Sequence, residues 1–295
     1  MCLRPLYGCR WRSRALTELT PAGGARAALE AIGQLPDAEI DLAGAALQLA
    51  RIDLPDADWH EAGAHLSDLA RDAARLGAEY QDGDTADQAG ALAGLMARNR
   101  YTGDGQTYDD LANANLIAVT QRRRGLPVAL GILWLHCARA AGWAAHGADF
   151  PGHFLLVLTA GGTQMVLDVF DGGAPMDARR LRTLIKRVEG SKAELRPGLL
   201  LPMSARSVLL RLQNNIKARR LDAGDIAGAL SCVEDMLRFA PDTASLWREA
   251  ALVNQRLDQV AAALRCYDRF LMMVPEGEAA DRVRIAAEEL RSRLN

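Results

Sequence analysis

The run at residues 126–141, LPVALGILWLHCARAA, constrains this chain more than any other stretch. Its apolar side chains fall on nearly every face of a helix, which marks a helix buried on all sides rather than an amphipathic surface one. Gly125-Leu126-Pro127 stops the preceding helix, Pro127 suits the first position of the new one, and Gly142 closes it. Strands follow. Residues 143–149 read as a short strand, and His153-Phe-Leu-Leu-Val-Leu-Thr-Ala as a second. Residues 163–170 then return as its partner across a two-residue Gly161-Gly162 turn.

The hairpin predicts geometry. If Ala160 pairs with Thr163, His153 lies opposite Phe170 and Asp168 opposite Leu155. Side chains alternate along a strand, so His153 and Asp168 share one face as a diagonal pair within hydrogen-bonding reach. A histidine held by a carboxylate is the base-and-orienter half of a nucleophilic triad. The third member belongs at the N-terminus of the buried helix, where the helix dipole favours a thiolate.

That layout resembles the transglutaminase-like (papain-like) fold, in which Gly-x-Cys opens a buried helix and His and Asp follow on successive strands. The chain is similar in particular to the bacterial SirB-type family, which joins such a domain to tetratricopeptide repeats. The residues that carry the resemblance are Tyr101-Thr-Gly103-Asp, Tyr108-Asp-Asp, Asn113, Arg122-Arg-Arg-Gly-Leu-Pro127, Pro151-Gly-His-Phe154, Asp168-Val-Phe170 and Gly172-Gly173. It spans roughly residue 30 to the C-terminus and implies an α+β fold. A helical N-terminal region and a helix-and-antiparallel-sheet domain would be followed by an all-α repeat module. One departure stands out: where active enzymes of that fold read Gly-x-Cys, this chain reads Gly125-Leu126-Pro127. Proline occupies the nucleophile position and Ala129 is the next small residue on that turn. Cys137 lies roughly 15 Å further along the helix at 1.5 Å per residue and reads as a packed core thiol.

Residues 1–26 carry five arginines and one glutamate and no apolar core of a secretory signal, so they read as a disordered basic tail. The division expected is 27–200 for the transglutaminase-like domain with its helical N-terminal part and 201–295 for the repeats. Residues 27–98 read as helices opened by Pro36-Asp37, Pro55-Asp56 and Asp84-Thr85. His60 and His65 are five apart, off the same-face spacing of a metal pair, and default to surface positions. The loop NRYTGDGQTYDDLAN at 99–113 is expected to wall the cleft through Tyr101, Tyr108, Asp110 and Asn113, with Asn113 or Asp110 capping the helix that follows. Arg122-Arg123-Arg124 reads as a helix C-terminus or as partners for nearby acids. His136 and His146 read as histidines with one satisfied nitrogen.

From about residue 205 the chain repeats with an offset of 34, the tetratricopeptide period: Ala229 with Ala263, Leu230 with Leu264, Cys232 with Cys266, Leu237 with Leu271, Pro241 with Pro275. The second copy keeps Trp247, Ala263, Tyr267 and Pro275 at consensus offsets. The first keeps only Ala229 and Pro241. Two repeats are few for independent stability, so they should dock on the first domain, with a final helix over the open edge.

Formal charge is −2, which makes no electrostatic case for nucleic acid or an anionic membrane. Cysteines at 2, 9, 137, 232 and 266 show no metal spacing and no disulfide framework, and no apolar run is long enough to span a membrane. The expected protein is cytoplasmic, without metal or cofactor. Three readings follow. The first is a non-catalytic regulator binding protein or peptide through its repeats, a pseudoenzyme with Pro127 in place of the nucleophile. The second is a hydrolase or transferase of altered chemistry using His153 and Asp168 as a general-base pair. The third is a plain scaffold, which a cleft plugged by the Tyr101–Tyr108 loop would indicate.

Overall fold

A computed structural model describes residues 21–293. Among the described residues four α-helices come first: α1 (Pro21–Ile32), α2 (Leu42–Asp53), α3 (Trp59–Glu79) and α4 (Thr85–Arg98). A short strand β1 (Thr102–Gly103), helix α5 (Leu116–Arg122) and strand β2 (Arg124–Gly125) lead into the buried helix α6 (Pro127–Ala140). Then come β3 (Ala144–Phe150), β4 (His153–Ala160), β5 (Thr163–Asp168), β6 (Ala174–Pro175) and helix α7 (Ala178–Glu189). Five helices complete the chain: α8 (Ala205–Asp222), α9 (Ile226–Phe239), α10 (Ala244–Arg256), α11 (Val260–Met273) and α12 (Glu278–Ser292). This is the expected α+β architecture followed by an all-α module.

Strands β3 to β6 form one antiparallel sheet in chain order, and β1 pairs in parallel with β2. The hairpin register is the one read from the sequence, Ala160 opposite Thr163, with both turn glycines at positive φ. Regular pairing with β5 stops at Leu156–Leu167, because the chain turns at Val169 rather than running on to Phe170. One face of the sheet, with Phe154, Leu156 and Leu158, joins the core around α6. The other, with Leu155 and Val157, packs on Leu181 and Ile185 of α7.

Phe154 fixes how close α6 comes to the sheet. A Cβ on Gly131 of α6 would lie 2.1 Å from its ring, and one on Gly147 of β3 would lie 2.4 Å from it. The ring fills the space that two absent side chains leave, so helix, strand and aromatic lock together.

Several expectations are corrected. Residues 21–26 of the expected tail are the opening turns of α1, with Ala25 fully buried and Arg26 paired to Asp235 of α9 at 2.9 Å; residues 1–20 lie outside the described residues. The helix expected from Pro36 is a single 3₁₀ turn, Asp37–Glu39, and α2 starts afresh at Leu42. The reason is where the Asp37 carboxylate points. It accepts from the amides of Ala205 (2.7 Å) and Arg206 (3.1 Å), so it caps α8 instead of its own segment. The cap of α5 is Asn115, which accepts from Ile117 and Ala118, whereas Asp110 caps the preceding 3₁₀ turn and Asn113 caps neither.

The repeat module docks as expected. The larger of two clusters of buried apolar residues runs without a break from Leu29 in α1 to Leu290 in α12. Met203 donates its amide to Gly147 O at 2.8 Å, and Pro202 bridges to Ala148, so the connector runs along the β3 edge of the sheet before α8 begins.

Replacing Gly131 by Ala should cost about 1–3 kcal/mol through overpacking on the Phe154 ring. The change Gly90→Ala in α4, where a Cβ meets nothing within 4 Å, should stabilise by up to about 1 kcal/mol. Urea denaturation of both variants checks this, and matching midpoints would refute the lock.

Candidate functional site

His153 is the first residue of β4, and Asp168 the last of β5. Their side chains meet at 2.8 Å, Nε2 to Oδ1. The same Oδ1 accepts from the amides of Phe170 (3.0 Å) and Asp171 (3.3 Å). Burial alone would raise the Asp168 pKa, but the hydrogen bond and charge of His153 and the two amides outweigh it and hold the carboxyl below its ordinary value. An ionised carboxylate only accepts, so it fixes the imidazole proton on Nε2 and leaves Nδ1 as the nitrogen able to take a proton. The His153 ring stands edge-on to Phe170, with centroids 6.2 Å apart, and Phe170 stands likewise to Tyr108 at 6.0 Å.

A cleft of about 480 Å³ opens beside this pair. Its walls include His153, Pro127 at the start of α6, Tyr108 of the loop, and Asp149, Arg211 and Asn214. Pro127 occupies the first turn of α6, where its missing N–H breaks no helical bond, and no side chain caps that end. Tyr108 lines the cleft and is 40 % exposed, so the loop forms a rim and does not fill the space. Arg219 of α8 straps that rim down, donating to the carbonyls of Tyr108 (3.0 Å) and Asp109 (3.1 Å), with its guanidinium 5.5 Å from the Tyr108 ring.

The other loop residues named from the sequence sit elsewhere. Tyr101 is buried away from the cleft, and its hydroxyl meets His65 Nε2 at 2.9 Å and accepts from Arg123 at 2.7 Å. His65 is therefore half-buried and partnered, not a free surface histidine. Asp110 pairs with Arg122 at 3.1 Å, and Asn113 donates to Thr107 O at 2.6 Å, bracing the loop from inside. The carboxylate that organises this loop is Asp104, part of the Tyr101-Thr-Gly103-Asp motif but given no role of its own from the sequence. It is almost fully buried and pairs with Arg122, while hydrogen bonds from the Thr107 amide and hydroxyl and the Gln106 amide hold its pKa down to about 2. An Asp followed by Gly and then Thr three residues on is the composition of such a turn.

His136 bonds Leu66 O at 2.9 Å and His146 bonds Leu200 O at 3.2 Å, each with one satisfied nitrogen. Cys137 is fully buried, and burial pushes its thiol up to about 12. In the repeats, Ala229 and Ala263 are fully buried and Tyr267 nearly so, while the Trp247 indole donates to Pro241 O at 2.8 Å. The Pro275 carbonyl accepts from Arg284. Among the described residues no three His, Cys, Asp or Glu groups gather as a metal site, and no helix is long and apolar enough to cross a membrane.

Asp149 is a wall residue that no sequence pattern marked, and Arg211 and Asn214 of α8 went unmarked too. The signal for those two is the offset of 34, which puts α8 in the same structural position as α10. The polar run Arg211-Leu-Gln-Asn-Asn215 then falls on a repeat helix that lies against the sheet domain.

Fold and site together define a transglutaminase-like domain carrying tetratricopeptide repeats, and comparison with known proteins agrees. Residues 60–214 match the Transglutaminase-like superfamily, and residues 216–288 a tetratricopeptide repeat family. A UPF0162 protein of Xylella fastidiosa is 30% identical over 193 residues, covering 64% of this chain and 69% of that protein. One from Pseudomonas aeruginosa is 29% identical over 254 residues, covering 84% of this chain and 89% of that protein. Human F-box only protein 21 is 33% identical over 77 residues, which is 26% of this chain and 12% of that protein. The chain belongs to the UPF0162 family within the transglutaminase-like superfamily.

The lowered Asp168 pKa makes a signed prediction. A carboxylate whose pKa is depressed on folding contributes stability above its unfolded value of about 3.9, and that contribution is lost as pH falls through the folded value. The stability gap between the parent and Asp168→Asn should therefore be widest near neutrality and narrow below about pH 4. Denaturant titrations across pH 2.5 to 7 check it, and a gap independent of pH would count against the ionised pair.

Proposed function

We propose that this protein is a non-catalytic transglutaminase-like module that holds a protein or peptide partner, with the fold dividing near residue 200 into the sheet domain and the repeats. The observation that supports it is Pro127. At the start of the buried helix, in the wall of the cleft that His153 shares, stands a side chain with no thiol or hydroxyl. The described cysteines are all buried, and burial raises each thiol pKa. The pseudoenzyme role, the regulatory role and a cytoplasmic setting are parts of the same reading. Tetratricopeptide repeats as a class present surfaces for protein contacts, and here two of their exposed apolar side chains, Leu252 and Ile285, lie on α10 and α12.

A second reading keeps one observation in its favour: Nδ1 of His153 is free to accept a proton beside a cleft roomy enough for a substrate. On that reading the pair serves as a general base for a hydrolase or transferase. The variant His153→Ala separates the two. A binding module should lose about 1–3 kcal/mol of stability, because a half-buried carboxylate loses its partner. An enzyme should keep its fold and lose turnover.

Restoring the nucleophile tests the assignment of position 127. In a Cys2→Ser/Cys9→Ser background, Pro127→Cys should react with iodoacetamide with a thiol pKa well below the usual ~8.5, and adding His153→Ala should return it toward that value. A thiol of ordinary pKa would mean that residue 127 is not the nucleophile position. For the interaction itself, a photo-crosslinking residue in place of Leu252 should yield discrete protein adducts in the native host, while one in place of Met272 on α11 should not. Equal patterns at both positions would refute a repeat-borne interface.

A further inference from the structure

The wall of the cleft beside His153 carries one carboxylate, Asp149 of β3, and one guanidinium, Arg211 of α8, and the two are in contact. The Arg211 side chain is 21% exposed and that of Asp149 65%, so the positive end of the pair lies deeper and the negative end stands at the mouth. Asn214 lies one turn along α8. Its carbonyl oxygen receives Lys217 Nζ at 2.6 Å, which leaves its amide nitrogen to donate beside Arg211. The first turn of α6, which no side chain caps, adds the positive end of a helix dipole to the same cavity. Around these groups stand apolar walls from Tyr108, Leu126, Pro127, Met203 and Leu210.

This arrangement selects a ligand by charge balance. Two opposite charges in contact carry no net charge. A simple anion drawn to Arg211 is therefore repelled by Asp149 from nearly the same distance, and a simple cation meets the reverse. A ligand that bears both charges close together lies antiparallel to the pair and is attracted at both ends. A free amino acid has that form, with a carboxylate and an ammonium on one carbon. Residues inside a peptide carry neither charge on the backbone, its N-terminus carries only the ammonium, and its C-terminus only the carboxylate. The volume, about 480 Å³, suits a small molecule and leaves room for an apolar side chain.

We propose that the cleft is a binding site for a free α-amino acid with an apolar side chain. The carboxylate points inward to Arg211 and the Asn214 amide, and the ammonium points outward to Asp149. The side chain lies on the wall of Tyr108, Pro127 and Leu210. Such a ligand asks no chemistry of His153, and the site stands independently of any partner that the repeats hold.

The test is isothermal titration of the full chain with L-phenylalanine and L-leucine, each beside three analogues. The amide lacks the carboxylate, and the N-acetyl and desamino acids lack the ammonium. At least one of the two amino acids should bind with a Kd below about 1 mM, and its analogues at least about tenfold more weakly. The charge variants should exchange specificity. Asp149→Asn releases Arg211, so it should weaken the amino acid about tenfold and tighten the desamino acid. Arg211→Met releases Asp149, so it should weaken the amino acid likewise and tighten the amide. A misfolded variant gains no ligand, so the exchange cannot come from damage to the fold. No binding of either amino acid, or no gained analogue in either variant, would overturn the proposal. Equal binding of the N-acetyl acid by the parent would overturn it in favour of a peptide C-terminus.

Discussion

The structure depends on one aromatic ring held between two glycines. Phe154 takes the space where side chains on Gly131 and Gly147 would stand, so α6 approaches the sheet at the distance an aromatic ring sets. This contact translates directly into the site. Phe154 adjoins His153, and Gly131 lies one helical turn from Pro127, so the lock that seats the helix also sets the imidazole across the cleft from the start of α6. A comparable contact closes the far side, where Gly173 at positive φ lies against Trp134 of α6. The site is thus built on a rigid seam of close backbone approach, and its side chains inherit their positions from packing.

The second constraint is that α8 belongs to both halves of the molecule. It is the first helix of the repeats and also a wall of the cleft, and the two family matches meet inside it, one ending at 214 and the other starting at 216. Its N-terminus is capped from a distance by Asp37, and its other end is fastened by Arg220 to Asp53 of α2 at 2.8 Å. That ion pair is not what holds the seam. Burial pushes Asp53 up to about 6 despite the nearby guanidinium, so desolvation outweighs the attraction there. The seam is held by the apolar cluster continuous from α1 to α12, with the charges fixing which residues face each other.

This explains what the sequence disclosed and what it withheld. Local patterns were legible: the all-apolar run gave α6, Gly161-Gly162 gave the hairpin and its register, and the register brought His153 to Asp168. The repeat period gave the arrangement of α9 to α12. What escaped were individual side-chain partners that lie far away in the chain. Asp37 looks like the cap of its own helix until Ala205 and Arg206 are seen to use it. Tyr101 looks like a cleft aromatic, yet its hydroxyl is claimed by His65 of α3 and by Arg123, the residue that ends α5. Arg211 belongs to the site only because the repeats fold back on the sheet: the docking was expected, but not which repeat residues it would bring to the cleft.

The same long-range accounting shows that the histidine–carboxylate pair has a structural task of its own. Asp168 does more than orient His153: its one oxygen also receives the amides of Phe170 and Asp171, while its backbone carbonyl receives the amide of Gly173 at 2.8 Å. That turn carries Phe170, whose ring lies against Gly103 of β1 and edge-on to both Tyr108 and His153, and Gly173, which rests on Trp134. Without the carboxylate, two amides and an imidazole N–H lose their common acceptor, and the turn that joins loop, sheet and buried helix loses its cap. On the proposed reading the pair is what is left of a triad with one chemical task, but here it also closes a strand end. Loss of the attacking atom would remove the task and leave the closure, so an intact pair is the arrangement that packing alone would keep.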